Sequence, residues 1–300
     1  MTDSSRTSHS CQPVGLVTKA MSNFCEVRLH GEQVRCQFRG RLRSSASRIL
    51  TGDRVLVERL PDGHGLITEL LPRRTKLTRP PVANVDCCIA VLTTKAPPLN
   101  LDLVDRILIL AQDADLDIVM CLNKLDLATQ EETQLVTASY RASGWPLIMT
   151  SAIDGTNLEL LAAQLEGRVA VLSGQSGVGK STLLNAISPG LDLEMGEVSA
   201  KGQRGRHTTR AVELLRIAGG WVADSPGFVR LDLPAMEPAK LAGYYPETDP
   251  YSGQCRFADC VHDAEPGCAV KEAVAAGEIN EGRYQRYVGF LHELQARRRY

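Results

Sequence analysis

The apolar run Val169–Ser173 passes directly into GQSGVGKS, residues Gly174–Ser181, and then into TLLNAIS. No other stretch restricts the fold of this chain so tightly. The pattern G-x-x-x-x-G-K-[ST] is filled at every fixed position, and the apolar strand before it and helix after it supply the context that gives it meaning. Gly174, Gly177 and Gly179 let the backbone curl so that successive N–H groups and the helix N-terminus face a phosphate. Lys180 is then expected to reach the β- and γ-oxygens and Ser181 to give a hydroxyl to Mg2+, with Gln175, Ser176, Val178 and Thr182 completing the loop around the nucleotide. Such a cradle implies an α/β domain and a nucleotide but leaves the base undecided.

The base is decided by CLNKLD, Cys121–Asp126, which closes the apolar strand Asp117–Leu122 and stands upstream of the cradle instead of downstream. Asp126 can accept from the guanine N1–H and exocyclic amine together, a pair that adenine does not offer. Asn123 and the stem of Lys124 are expected to brace the base and its loop. A second apolar strand ends in TSAIDG, where Ser151 and the backbone N–H of Ala152 can meet guanine O6. Beyond the cradle, VADSPG places Asp224 to hold the magnesium ion and the Gly227 N–H to contact the γ-phosphate. The segment KGQRGRHTTRAVEL between them suits a switch loop, with Thr208 or Thr209 as a further ligand of the metal and γ-phosphate; the sequence leaves the choice between them open. Phe228 follows Gly227 where many GTPases carry the glutamine that orients water, so another group must do so. The motifs of a GTPase are all present in rotated order. Circular permutation produces such an order without disturbing the site, because domain termini usually lie close together.

From Val85 onward, near-continuous apolar strands alternate with helical segments, the signature of a parallel sheet covered on both faces with ligands at the carboxyl ends of its strands. Upstream, Pro13–Leu71 reads as short β-like runs separated by Gly31, Gly40, Gly52 and Gly63, which suits a small barrel of the OB type. Phe24 and Phe38 are stacking platforms or core there, with core the expectation. The expected organisation is multidomain: a disordered tail over 1–12, an OB-fold RNA-binding β-barrel over 13–72, and a proline-containing linker over 73–82. A circularly permuted α/β P-loop GTPase domain follows over 83–232, then a small zinc-binding helical domain over 233–300.

Charge is segregated along the chain. Residues 1–80 carry 14 Lys and Arg against 7 Asp and Glu, whereas residues 81–300 carry 20 against 28. A basic N-terminal segment on an acidic chain points to a polyanion such as RNA, against the plainer reading of a solvated basic face. Arg39, Arg41, Arg43 and Arg48, in RGRLRSSASR, are the expected RNA contacts. No run approaches the roughly 18 apolar residues of a membrane span, and MTDSSRTSHSCQ has no apolar core for a signal peptide, so no membrane association and a cytoplasmic location are expected. Of nine cysteines, Cys25, Cys36, Cys87, Cys88 and Cys121 fall in apparent strands and read as buried thiols. Cys255, Cys260, His262 and Cys268 differ: three thiolates and an imidazole within CRFADCVHDAEPGC form a complete tetrahedral set for one structural Zn2+. The closing segment EGRYQRYVGFLHELQARRRY mixes arginines with aromatics and could dock either RNA or its own domain.

The rotated motifs, GRHTT, DSPGF and the C-x4-C-x-H-x5-C cluster together resemble the circularly permuted, small-subunit-dependent GTPases of the RsgA, or YjeQ, family. The resemblance spans nearly the whole chain after its tail. It implies a barrel, a permuted GTPase domain and a zinc domain in that order, GTP and GDP as ligands, and the small ribosomal subunit with its rRNA as partner. The implied activity is hydrolysis of GTP to GDP and phosphate, stimulated by the 30S subunit during its late maturation, with the chain acting as a monomer. Within GRHTT, His207 takes the place of the family's proposed water-positioning residue beside Lys180, Asp224 and Gly227, and Phe228 is the hydrophobic residue the family carries instead of glutamine. Arg210 departs from the third threonine frequent there. The competing class is a passive RNA-binding adaptor whose nucleotide only stabilises the fold; the full set of magnesium and γ-phosphate ligands favours an enzyme.

Overall fold

The computed structural model describes residues 12–38, 48–191, 193, 212–224 and 231–297, and the chain divides into two compact units. Met1–Asn84 with His207–Leu215 form the first, Val85–Arg206 with Arg216–Tyr300 the second.

The first unit is built on period-two alternation along β1 (Val14–Ala20), β2 (Cys25–Leu29), β3 (Glu32–Phe38), β4 (Arg54–Arg59) and β5 (Gly65–Leu70). Cys25, Val27 and Leu29 point inward in β2, as do Val34 and Cys36 in β3, and they meet Val17, Val55, Val57 and Ile67 in one apolar core. β1 pairs with both β2 and β4, β3 pairs with β2 and in parallel with β5, and β4 pairs with β5, so the sheet closes on itself as the expected small barrel, here of five strands. Register shifts between Val17 and Lys19 and between Leu56 and Val57 supply the bends that closure requires. At Gly65 a Cβ would lie 2.4 Å from Cys36 Sγ, so only glycine fits the wall there.

The linker expected over 73–82 is instead part of this unit. Thr51 bridges to Val82 and Lys76 to Ala83, Leu77, Val82 and Ala83 are buried, and Asn84 donates to the Gly52 carbonyl at 2.9 Å. Its prolines stop a strand, but the surrounding backbone pairs with the barrel and leaves no free spacer. Arg73 makes two bonds, of 2.7 and 2.8 Å, to the fully buried Asp53. The boundary falls after Asn84. The same unit holds the start of the strand Glu213–Ile217: Thr51 Oγ1 donates to the Val212 carbonyl at 2.8 Å, and Lys19 pairs with Glu213 at 2.5 Å.

The second unit contains the parallel sheet. β6 (Cys87–Leu92) and β9 (Val169–Ser173) are buried at every position, as central strands covered on both faces must be. β7 (Asp117–Leu122) flanks β6, β8 (Leu147–Met149) flanks β7, and the strand Gly220–Asp224 flanks β9, all in parallel. α1 (Leu101–Asp113) is capped by Asn100, α2 (Gln130–Tyr140) by a reciprocal capping box between Thr129 and Glu132, and the short α3 (Leu158–Ala163) leads back to β9. α4 (Lys180–Ile187) follows the cradle, and β10 (Glu213–Ile217) turns through Ala218 and Gly219, both at positive φ, into β11 (Gly220–Asp224).

The C-terminal region, expected over 233–300 as a small zinc-binding helical domain, lies within this second unit. After α5 (Ala269–Ala275), α6 (Glu281–Arg297) buries Tyr287, Phe290, Leu291 and Leu294 against Leu233, Leu241, Tyr245 and Ile109 of α1. α6 therefore docks on its own unit. Arg283, 1% exposed, pairs with Asp105 of α1 at 2.5 Å and with Glu247 at 2.7 Å, while Arg286 and the Tyr140 hydroxyl complete the bonds to Asp105. Among the described residues, no helix is long and apolar enough to cross a membrane.

Candidate functional site

The strands that end at the site lie on either side of the central β6. β9 delivers the glycine loop, β7 delivers Asn123–Asp126, and β8 delivers Thr150 and Ser151, all at carboxyl ends of one parallel sheet. At Gly174 a Cβ would stand 2.1 Å from the Val91 carbonyl oxygen, so the loop can leave β9 only through glycine. Lys180 opens α4 and folds its Nζ back over the loop, donating to the Gly174 and Gln175 carbonyls at 2.9 and 3.1 Å. Burial pulls its pKa below the ordinary lysine range. Val178 is buried and anchors the loop, Gln175, Ser181 and Thr182 are half-buried around it, and Ser176 is exposed.

Asn123 is 1% exposed and spends its amide on protein. Its Nδ2 donates to the Val178 carbonyl of the glycine loop at 2.9 Å, and its Oδ1 accepts from the Thr150 hydroxyl at 3.2 Å. Lys124, at φ +61°, extends beside it and donates to the Gly177 carbonyl at 2.8 Å and the Ala96 carbonyl at 2.5 Å. Two consecutive residues of the base motif thus fasten it to the phosphate cradle. Asp126 is exposed and accepts from Ser151 Oγ at 2.7 Å, which aligns these two side chains, with half-buried Ala152 next in the chain. Asp224 is exposed at the end of β11, on the strand next to the one that feeds the cradle.

His207, Thr208, Thr209, Arg210, Gly227 and Phe228 lie outside the described residues, as do Arg39, Arg41 and Arg43. Arg48 is exposed, and its carbonyl accepts from Arg73 at 2.6 Å. Sequence reasoning passed over Thr150 and the loop after β6, whose Ala96 carbonyl holds Lys124. The position of that loop at the carboxyl end of a central parallel strand was the signal that could have marked it.

The second cluster lies in the loop before α5. The donor atoms of Cys255, Cys260, His262 and Cys268 all lie within 4.8 Å of one another. Zn–S and Zn–N bonds of about 2.3 and 2.0 Å in a tetrahedron place sulfurs about 3.8 Å apart and sulfur from nitrogen about 3.5 Å. The observed separations are 3.9 Å between Cys255 and Cys268 Sγ and 3.4 to 3.5 Å from His262 Nδ1 to each sulfur. The four residues therefore fit zinc. Burial lowers the His262 pKa, in the direction of the neutral imidazole that ligates metal. Outside the ligands, Tyr284 and Tyr287 of α6 donate their hydroxyls to the His262 and Val261 carbonyls at 2.8 and 2.7 Å, and the Glu265 carboxylate accepts from the Val261 and Asp263 N–H groups at 2.9 Å each.

Comparison with known proteins agrees with this geometry along the chain. Residues 14–67 match the RsgA N-terminal domain and residues 70–234 the RsgA GTPase. The small ribosomal subunit biogenesis GTPase RsgA of Moorella thermoacetica is 48% identical over 286 residues, covering 95% of this chain and 98% of that protein. The crystal structure of YjeQ from Thermotoga maritima superposes with a TM-score of 0.84 at 39% identity, covering 95% of this chain and 99% of that one. The structure of YloQ, a circularly permuted GTPase, gives 0.81 at 35% identity, covering 97% and 98%.

Proposed function

Since this chain belongs to the RsgA family of small ribosomal subunit biogenesis GTPases, we propose that it binds the small (30S) subunit and its rRNA during late maturation and hydrolyses GTP in response. Asp126, Ser151 and the Ala152 N–H read guanine, and the loop from Gly174 to Thr182 holds the phosphates with Lys180 on the β- and γ-oxygens. Mg2+ bound there neutralises phosphate charge; Ser181, Asp224 and one of Thr208 and Thr209 are the groups that would hold it. The Gly227 N–H would contact the γ-phosphate, and His207 would orient the attacking water, a role for which Phe228 has no polar group. A structural Zn2+ shapes the loop from Cys255 to Cys268. The chain works as a cytoplasmic monomer.

What carries the reading is the pair of bonds from Asn123 and Lys124 to the Val178 and Gly177 carbonyls, which join base motif and phosphate cradle into one site despite their reversed order in the chain. Phosphate release from GTP, measured with and without small subunits, tests it, with Lys180→Ala as the control. Stimulation by the subunit is expected. Equal rates with and without the subunit would refute the stimulation, and rates no higher than those of Lys180→Ala under both conditions would leave only the passive adaptor.

A further inference from the structure

We propose that Thr51 is a positioning residue for hydrolysis: its hydroxyl fixes to the barrel the strand onset at Val212, just after GRHTT, and subunit stimulation depends on that anchor. The proposal rests on the subunit-stimulated reading above and names the residue of the first unit through which the stimulation acts. The anchor is built inside that unit. The Thr51 hydroxyl donates to the Val212 carbonyl at 2.8 Å and accepts from the Ala20 N–H, at the end of β1, at 3.1 Å. Thr51 is 2% exposed and is itself held, because its carbonyl accepts from the Ala83 N–H at 2.9 Å. The chain turns beside it at Gly52, φ +88°, where a Cβ would stand 2.0 Å from the Ala83 carbonyl oxygen. The donor therefore sits on a rigid support.

Val212 and Leu214 are buried, and between them Glu213 meets Lys19 of β1 both in strand register and as an ion pair. A hydrogen bond to a buried carbonyl and a half-exposed ion pair thus hold two consecutive residues. The first is the stronger hold, because a buried carbonyl stripped of its donor has no water to replace it, whereas partly exposed ion pairs contribute little. The chain from this anchor to the expected chemistry is short. Thr209 lies three residues and His207 five residues before Val212, so full extension carries them at most about 11 and 18 Å from it. Phosphoryl transfer is chiefly a matter of positioning, and a misplacement of about 1 Å can cost about 100-fold in rate. The glycine loop and the base motif belong to the second unit and make none of their bonds to Thr51, which separates nucleotide binding from the anchor.

The test compares the full-length parent with Thr51→Val, which keeps the shape and loses the hydroxyl, and Thr51→Ser, which restores it. At saturating small subunit and GTP, Thr51→Val should lower the stimulated kcat about tenfold, an intermediate loss for a displaced reacting group. Its KM for GTP, its affinity for the subunit and its subunit-free rate should stay within about twofold of the parent. Thr51→Ser should recover the stimulated kcat. A merely structural role would lower the melting temperature of Thr51→Val and leave kcat per folded molecule as in the parent, and that result would overturn the proposal. Tryptic cleavage at Arg210 in the subunit-free protein reads the anchor separately: it should be several-fold faster in Thr51→Val and parent-like in Thr51→Ser. If Thr51→Val does not fold, Glu213→Ala is read in the same two assays, with changes of about two- to threefold expected and parent-like values overturning the anchor. Stimulation of the parent is scored by itself. If the parent is stimulated and folded Thr51→Val is stimulated equally, the anchor alone is wrong. If the parent is not stimulated, the ribosomal reading is wrong and the cleavage decides the anchor: acceleration in Thr51→Val reversed in Thr51→Ser upholds it, and unchanged cleavage removes it.

Discussion

Gly179 sits at φ +94°, and a Cβ there would lie 2.5 Å from Asn123 Nδ2. The N-K-x-D motif pressed against it therefore requires the glycine by itself. Asp126 stands at the other end of that motif, exposed apart from its bond to Ser151. Replacing it by asparagine keeps an oxygen for Ser151 but substitutes an N–H donor for one acceptor, so guanine loses a bond and xanthine gains one. Asp126→Asn is therefore expected to reverse the preference for GDP over XDP, shifting the ratio at least tenfold in a competition assay. Unaltered selectivity would remove Asp126 from the base site. His207 answers a different question, since positioning and charge stabilisation are nearly all that phosphoryl transfer requires of a protein and one contributed group can be worth about 10³ to 10⁵ in rate. His207→Ala should keep nucleotide and subunit binding and lose most of the subunit-stimulated rate. A fully bound variant stimulated as strongly as the parent would move that role to the ribosome.

Among elements, the zinc loop and the strands treat cysteine in opposite ways. Burial pushes Cys25 and Cys121 up to about 12 and Cys36 and Cys87 to about 11, so these thiols stay protonated and inert while the protein is folded. Cys255, Cys260 and Cys268 share with His262 a loop in which the four donor atoms lie within 4.8 Å of one another. Cys260→Ala should abolish stoichiometric zinc and loosen residues 255–268 in hydrogen exchange. α6 should remain docked through Phe290, Leu291 and Leu294, and GDP affinity should stay within a few-fold of the parent, because the nucleotide loops rest on the sheet. Zinc content and exchange both equal to the parent's would refute the metal site. In the parent, a chelator should expose the three loop thiols to alkylation while the strand thiols remain unmodified.

At the scale of the whole molecule, Arg283 decides what moves together. Its side chain is enclosed by Asp105, Glu247 and the rings of Tyr140, Trp145 and Tyr245, and the two carboxylates raise its pKa against the opposing effect of burial. Removing one partner of a buried pair leaves an uncompensated charge and costs about 3–5 kcal/mol. Arg283→Met is expected to destabilise the second unit by that amount in urea unfolding monitored by nucleotide release and by the helical signal together. The double change Arg283→Met with Asp105→Asn should cost less than the two single changes added. A parent-like midpoint for Arg283→Met would mean that apolar packing alone holds α6 to α1.

The local chemistry of this protein was legible along the chain. The glycine loop, the base motif, the Cys3His set, the buried strand thiols and the barrel's alternation each depend on residue types at short spacings, and short spacings survive rotation of the motif order. Relations between distant segments were not legible. That Asn123 grips Val178, that residues 73–84 pair with the barrel, that Phe24 faces outward under Arg35, and that Arg283 ties the C-terminal helix to α1 all depend on which faces and loops the fold brings into contact. An arginine–aromatic helix reads the same whether it meets RNA or a buried aspartate. Only tertiary packing places Asp105 beneath it, and the cost of leaving that charge unpaired fixes the helix where it lies.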